Sequence, residues 1–174
     1  GNFMGTPSTW QDTLSGGTSQ SKNDGTITSP SITVTSTTGA ASLSFWTWWE
    51  IESVNPNAFG FDIMEVEIFE ITDTNNITVL GKLNPYADPI LENRAALPYT
   101  SAGFNKAPIW SYQEFDISAF IGKTVKIRFF FDTRDGLYNG FRGWFIDDVK
   151  ITDKVSEGGL NKSYKKVAEP IPTR

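Results

Sequence analysis

The sequence has no cysteine and no histidine among its 174 residues. Zinc fingers, iron–sulfur clusters, haem ligation through His, thiol nucleophiles and Ser-His-Asp triads are thereby excluded. So is a secreted scaffold stapled by disulfides. No apolar run approaches the ~18 residues of a membrane-spanning helix. Basic residues are also in short supply: 15 Lys and Arg face 20 Asp and Glu, a net charge of −5. That balance opposes nucleic-acid binding, which needs a basic face. What remains is an ordinary globular composition, 39% hydrophobic and 20% charged, at a length that suits one domain. Hydroxyl side chains are abundant, with 19 Thr and 15 Ser, a bias common in exported β-proteins. The first residue is Gly1, which fits a chain whose signal peptide has been removed and an extracellular or cell-surface location.

Periodicity is almost entirely of period two. Met64, Val66 and Ile68 alternate with Glu65 and Glu67, and Val125, Ile127, Phe129 and Phe131 alternate with Lys126, Arg128 and Asp132, as in strands with one buried face. Further runs of β-formers are 26–28, 31–35, 42–52, 77–83, 111–117 and 143–152. The only helical signal is a single turn over residues 116–122, with Asp116 as cap and Gly122 as stop. About eight strands without a βα rhythm predict an all-β fold, an antiparallel β-sandwich of jelly-roll type with long loops.

Residues 1–153 are expected to form that sandwich, with an N-terminal arm and loop over 1–24 and a Pro-rich insertion over 84–110. The insertion holds Pro85, Pro89, Pro98 and Pro108, and loops of this length are usually functional or disordered. Residues 154–174 form a polar tail, suited to docking on its own domain or on a neighbour. Charge is divided along the chain: residues 1–81 carry nine acids and one base, residues 82–174 carry 11 acids and 14 bases. The division is either surface scatter or a pair of complementary faces through which copies meet head to tail.

The run from Phe115 to Thr133, followed by Gly143-Trp-Phe-Ile-Asp-Asp-Val-Lys-Ile, resembles a recurring extracellular jelly roll. It is similar to MAM domains, to the cleaved-adhesin domains of bacterial surface proteases and to accessory domains of immune-inhibitor-A-type secreted proteases. Upstream, Ile27-Thr-Ser-Pro-Ser-Ile-Thr-Val and Leu43-Ser-Phe-Trp-Thr-Trp fit the same pattern. The similarity spans roughly residues 25–153. It implies a non-catalytic sandwich that often carries a structural calcium near the end of its last strand.

Calcium takes six to eight hard oxygen ligands. Asp132, Asp135, Asn139, Asp147 and Asp148 supply such oxygens around one loop–strand region. Asp147 shares strand parity with Val149 and Ile151, so it points inward unless a bulge shifts the register. An inward carboxylate needs a metal or a full set of donors, and both readings stay open. Asp12 is the nearest counterpart of the acidic ligand that the family carries near its N-terminus.

The strand Phe45-Trp46-Thr47-Trp48-Trp49 has aromatic residues on both faces. One face is core. The other is either a sugar-stacking platform of Trp46 and Trp48, with Trp110, or a surface covered by the insertion or the tail. Glu50 and Glu52, like Glu65 and Glu67, stand about 7 Å apart on one side of a strand, near a glycosidase spacing. Alternating Glu on a strand is the ordinary solvated face, so no enzyme is expected. The function expected is an extracellular structural protein, calcium-stabilised and self-assembling through strand edges or an extended terminal segment, with filaments as one outcome. Tyr164, Val167 and Ile171 are the donor-strand candidates in the tail. The alternatives are an adhesin or carbohydrate-binding module that meets a surface glycan or protein, and an accessory domain of a secreted protease.

Overall fold

The computed structural model describes residues 22–52, 62–84, 97–136, 138–153 and 164–165. They form eleven strands: β1 (Asp24–Thr28), β2 (Ile32–Thr33), β3 (Ser42–Glu52), β4 (Ile63–Glu70), β5 (Thr78–Lys82), β6 (Pro98–Thr100), β7 (Gly103–Phe104), β8 (Ser111–Asp116), β9 (Thr124–Asp132), β10 (Gly143–Thr152) and β11 (Tyr164–Lys165). All pairings are antiparallel and give two packed sheets. One sheet runs β1-β9-β4-β5, with β2 also on β9. The other is built on β3. β10 pairs with it along 42–50, while β8 takes 42–47 and β6 takes 50–52; β11 lies outside β8 and β7 outside β6.

The period-two residues meet between the sheets. Met64, Val66 and Ile68 from β4 and Val125, Ile127, Phe129 and Phe131 from β9 pack against Leu43, Phe45, Trp49 and Ile51 of β3 and Trp144 of β10. Phe129 ties the sheets at their centre, meeting Phe45 edge-on at 5.1 Å and Trp144 at 5.7 Å. A buried indole needs an acceptor. Trp144 has one, since its Nε1–H donates to Thr47 Oγ1 at 2.8 Å and that hydroxyl donates to the Phe145 carbonyl at 2.6 Å.

Local signals set the connections. Asp116 Oδ1 accepts the Ser118 N–H at 2.8 Å and starts a 3-10 turn over Ser118–Phe120. Gly122 ends it at φ 82°, in the left-handed region that favours glycine. The expected Pro-rich insertion is not structureless throughout, because its last part holds the β6–β7 hairpin. Pro98 is the first residue of β6, a strand position where its missing N–H is tolerated. The tail contributes β11, whose Tyr164 pairs with Tyr112. Asp12, Val167 and Ile171 lie outside the described residues, as does most of the N-terminal arm.

β10 contains the bulge that strand parity left open. Its register with β3 slips between Asp147 and Lys150, and Asp148 sits at φ 54°. Asp147 and Val149 are therefore both exposed, Val149 at 47%, while Ile151 returns to the core margin. The expectation of an inward Asp147 is not met, and the bulge is the reason.

Candidate metal centre

Three elements converge at the end of the sandwich where β3 finishes, β4 begins and β9 finishes. Glu52 is the last residue of β3, Asp62 immediately precedes β4, and Asp132 is the last residue of β9. The antiparallel register places Ile63, next to Asp62, opposite Asp132. All three carboxylates are buried, Glu52 at 3% exposure and Asp62 and Asp132 at 4% each.

Asp62 is held firmly. The Asn84 carboxamide clamps it, donating from Nδ2 to the Asp62 carbonyl and accepting the Met64 N–H on Oδ1 at 3.0 Å. Asp62 Oδ2 accepts the Glu52 N–H at 3.1 Å. The other oxygens differ: Glu52 Oε2 and Asp62 Oδ1 are buried with no hydrogen-bond partner among the described residues. An unmet buried carboxylate oxygen is costly, and the group responds by holding a proton. Burial, reinforced by the Asp62 and Asp135 charges, pushes Glu52 up to about 9. Burial raises Asp62 to about 7 against the opposing pull of the Glu52 N–H, with Asp135 and Asp132 adding to the rise.

Asp132 is in a different position because its charge is met. Lys22 Nζ lies 3.2 Å from Oδ2 and the Arg134 N–H donates to Oδ1 at 2.7 Å. The following loop turns back over the cluster. Thr133 and Asn23 exchange bonds of 2.9 Å, the Asn139 side chain donates to the Asp135 carbonyl at 2.8 Å, and Arg134 and Tyr138 adopt φ of 64° and 53°. A cavity of about 10 Å³ at this end is lined by Asn23, Glu50, Asp62, Thr133, Tyr138 and Asn139 among others, with Asp62 the member of the acidic cluster that reaches it. That volume holds one water-sized occupant.

Of the five residues read as calcium ligands, the fold gathers Asp132, Asp135 and Asn139 at this end. Asp147 pairs with Trp46, four residues along β3 from Glu50, and both Asp147 and Asp148 are exposed. Those two stand apart from the cluster. Glu52 and Asp62 are not among those five; the sequence singles out Glu52 only as half of a carboxylate pair with Glu50. No three Asp or Glu carboxylates among the described residues are close enough to hold a metal by themselves. What the end of the sandwich does offer a hard cation is a pair of buried carboxylates, Glu52 and Asp62, each with one oxygen lacking a partner among the described residues.

The aromatic strand resolves differently. The Trp48 ring stacks on Phe145 at 4.1 Å and 12°, meets Trp110 edge-on at 6.4 Å and lies under the Arg142 guanidinium at 5.1 Å. Trp48 is 6% exposed, so its faces are used within the protein. Trp46 is half-buried and meets Tyr112 at 5.5 Å. Arg142 also pairs with Glu50 at 2.5 Å, which leaves Glu50 and Glu52 in unlike surroundings rather than on one solvated face.

Fold and site together define an all-β sandwich with a buried acidic end. No protein-family model matches the chain, and no curated protein matches its sequence. Among the described residues no helix is long and apolar enough to cross a membrane.

Proposed function

We propose that the chain is a non-catalytic extracellular module whose sandwich is stabilised at its acidic end by calcium. One observation carries the reading: Glu52 and Asp62 are both buried, are joined through the Glu52 N–H, and each keeps one oxygen without a partner among the described residues. A divalent cation would satisfy both oxygens and replace the protons that burial otherwise imposes. Glu52 and Asp62 would hold it, and its contribution is charge neutralisation. The likeness to MAM, cleaved-adhesin and immune-inhibitor-A accessory domains supports this, as does the way the chain passes between sheets from β2 to β3, β3 to β4, β5 to β6, β8 to β9 and β9 to β10, in keeping with jelly-roll wiring. Millimolar calcium outside cells suits a modest site of this kind. Calorimetric titration of EDTA-stripped protein tests it: calcium should bind one-to-one, and Glu52→Gln should abolish binding. Calcium binding that survives both Glu52→Gln and Asp62→Asn would refute the assignment, as would no heat of binding at about 10 mM, far above the ~0.1–1 mM dissociation constants of extracellular modules.

Assembly through a strand edge is a second reading, favoured by β11. This strand, Tyr164–Lys165, adds to the outer edge of β8, and an edge that accepts one extended segment can accept the same segment from a neighbour. Removing residues 154–174 should abolish concentration-dependent assembly in light scattering. Assembly that persists after the deletion would exclude the tail as donor.

A further inference from the structure

Two Asn-X-Ser/Thr triplets occur in the chain, Asn76-Ile77-Thr78 and Asn161-Lys162-Ser163, neither with proline at X. Asn161 lies outside the described residues, whereas the first triplet closes the connection between β4 and β5. Position in the fold decides whether such a triplet can be used. An enzyme that reads it must reach an exposed, unengaged Asn and the hydroxyl two residues further on.

Asn76 meets that condition. β4 ends at Glu70, β5 begins at Thr78, and residues 71–76 between them are all exposed. The connection is a compact double turn held by backbone groups alone. Asp73 N–H donates to the Glu70 carbonyl at 3.1 Å, and Asn76 N–H donates to the Asp73 carbonyl at 3.2 Å. Thr78 is exposed as well and pairs with Ile68 through the ladder. Neither the Asn76 carboxamide nor the Thr78 hydroxyl has a hydrogen-bond partner among the described residues.

The surroundings also have a use for a glycan. Among the described residues β5 is the outer strand of its sheet. Val79 on that strand is 42% exposed, and Ile71 at the other end of the turn is 43% exposed. An open edge with an exposed β-branched side chain is a template for unwanted pairing. A bulky, solubilising group beside it obstructs that approach.

We propose that Asn76 is an N-glycosylation site. The assignment rests on the extracellular reading of the chain, and its sugar donor is a lipid-linked oligosaccharide diphosphate. In the transfer, Asn76 Nδ2 forms a bond to the anomeric carbon of the first sugar. The bond from that carbon to the diphosphate oxygen breaks, and the lipid diphosphate leaves with the electron pair. One amide proton passes to a base of the transferase. Thr78 Oγ1 is the recognition group two residues on.

Mass spectrometry of the protein recovered from its source organism, cut after Glu70 and Lys82, tests the proposal. The 71–82 peptide should carry an oligosaccharide on Asn76. Asn76→Gln and Thr78→Val should each abolish the addition, Thr78→Ser should retain it, and Asn161→Gln should leave it unchanged. Protein found outside the cell with Asn76 bare would overturn the site while the extracellular reading stands. Protein confined to the cytoplasm would overturn both. Addition that survives Thr78→Val would also overturn the assignment, because the triplet would not be what directs it.

Discussion

The backbone N–H of Glu52 donates to Asp62 Oδ2 at 3.1 Å, binding two buried acids together where their charges would repel. The bond satisfies Asp62 Oδ2, while Asp62 Oδ1 and Glu52 Oε2 have no partner among the described residues.

Stability of the cation-free protein should therefore fall as pH rises. Asp62 and Glu52 are raised from ordinary values of 3.8 and 4.5 to about 7 and about 9. Between pH 5 and 9 the folded state thus retains protons that the unfolded chain has lost. Stability falls with pH wherever the folded state binds more protons. In EDTA, the melting temperature should decline from pH 5 to pH 9 and then level off, while saturating calcium flattens the slope. A melting temperature that rises over this window would contradict the assigned protonation.

Calcium at about a hundredfold excess over its dissociation constant should add about 2.7 kcal/mol, or roughly 5–10 °C in a domain of this size. Asp62→Asn and Glu52→Gln should raise the melting temperature in EDTA at pH 8 and cancel the calcium increment. Scanning fluorimetry reads both effects.

Thr47→Val should destabilise the fold by about 1–3 kcal/mol in urea denaturation, because it strands the buried Trp144 indole N–H. Removing both polar groups with Trp144→Phe in the same chain should cost less than the two single effects added together.

Gly81→Ala should destabilise by about 1–3 kcal/mol through overpacking, since the new methyl meets the Phe115 ring at 2.4 Å. A smaller side chain without the ring, as in Phe115→Leu, should recover part of that loss in the double variant.

Arg128→Ala should cost about 3 kcal/mol. It strips the partner from Glu67, which is 5% exposed and paired with the Arg128 guanidinium.

Strand identity was legible wherever sequence alternation matched burial. β3 and β10 carry the bounds that their β-forming runs marked, and the inward row of β9 lies in the core. Glu52 was hidden by the same alternation, since Glu50 and Glu52 read as a wet face. The clue was on the strand itself: Trp46 and Trp48 share that parity, so the face could not be solvated along its whole length. Asp62 belongs to no periodic pattern, and its role follows from the β4–β9 register, a long-range relation. Asp147 misled because strand parity counts residues and a bulge adds one.

The bulge at Asp148 also makes the molecule one-sided. A regular edge strand offers a straight row of N–H and C=O groups to any passing chain, and a kinked one with a lysine does not. β10 carries both the kink and Lys150, while the opposite margin at β8 already hosts an added strand. Copies joined by a tail laid on the β8 margin would therefore meet head to tail, each with one acceptor edge and one donor segment.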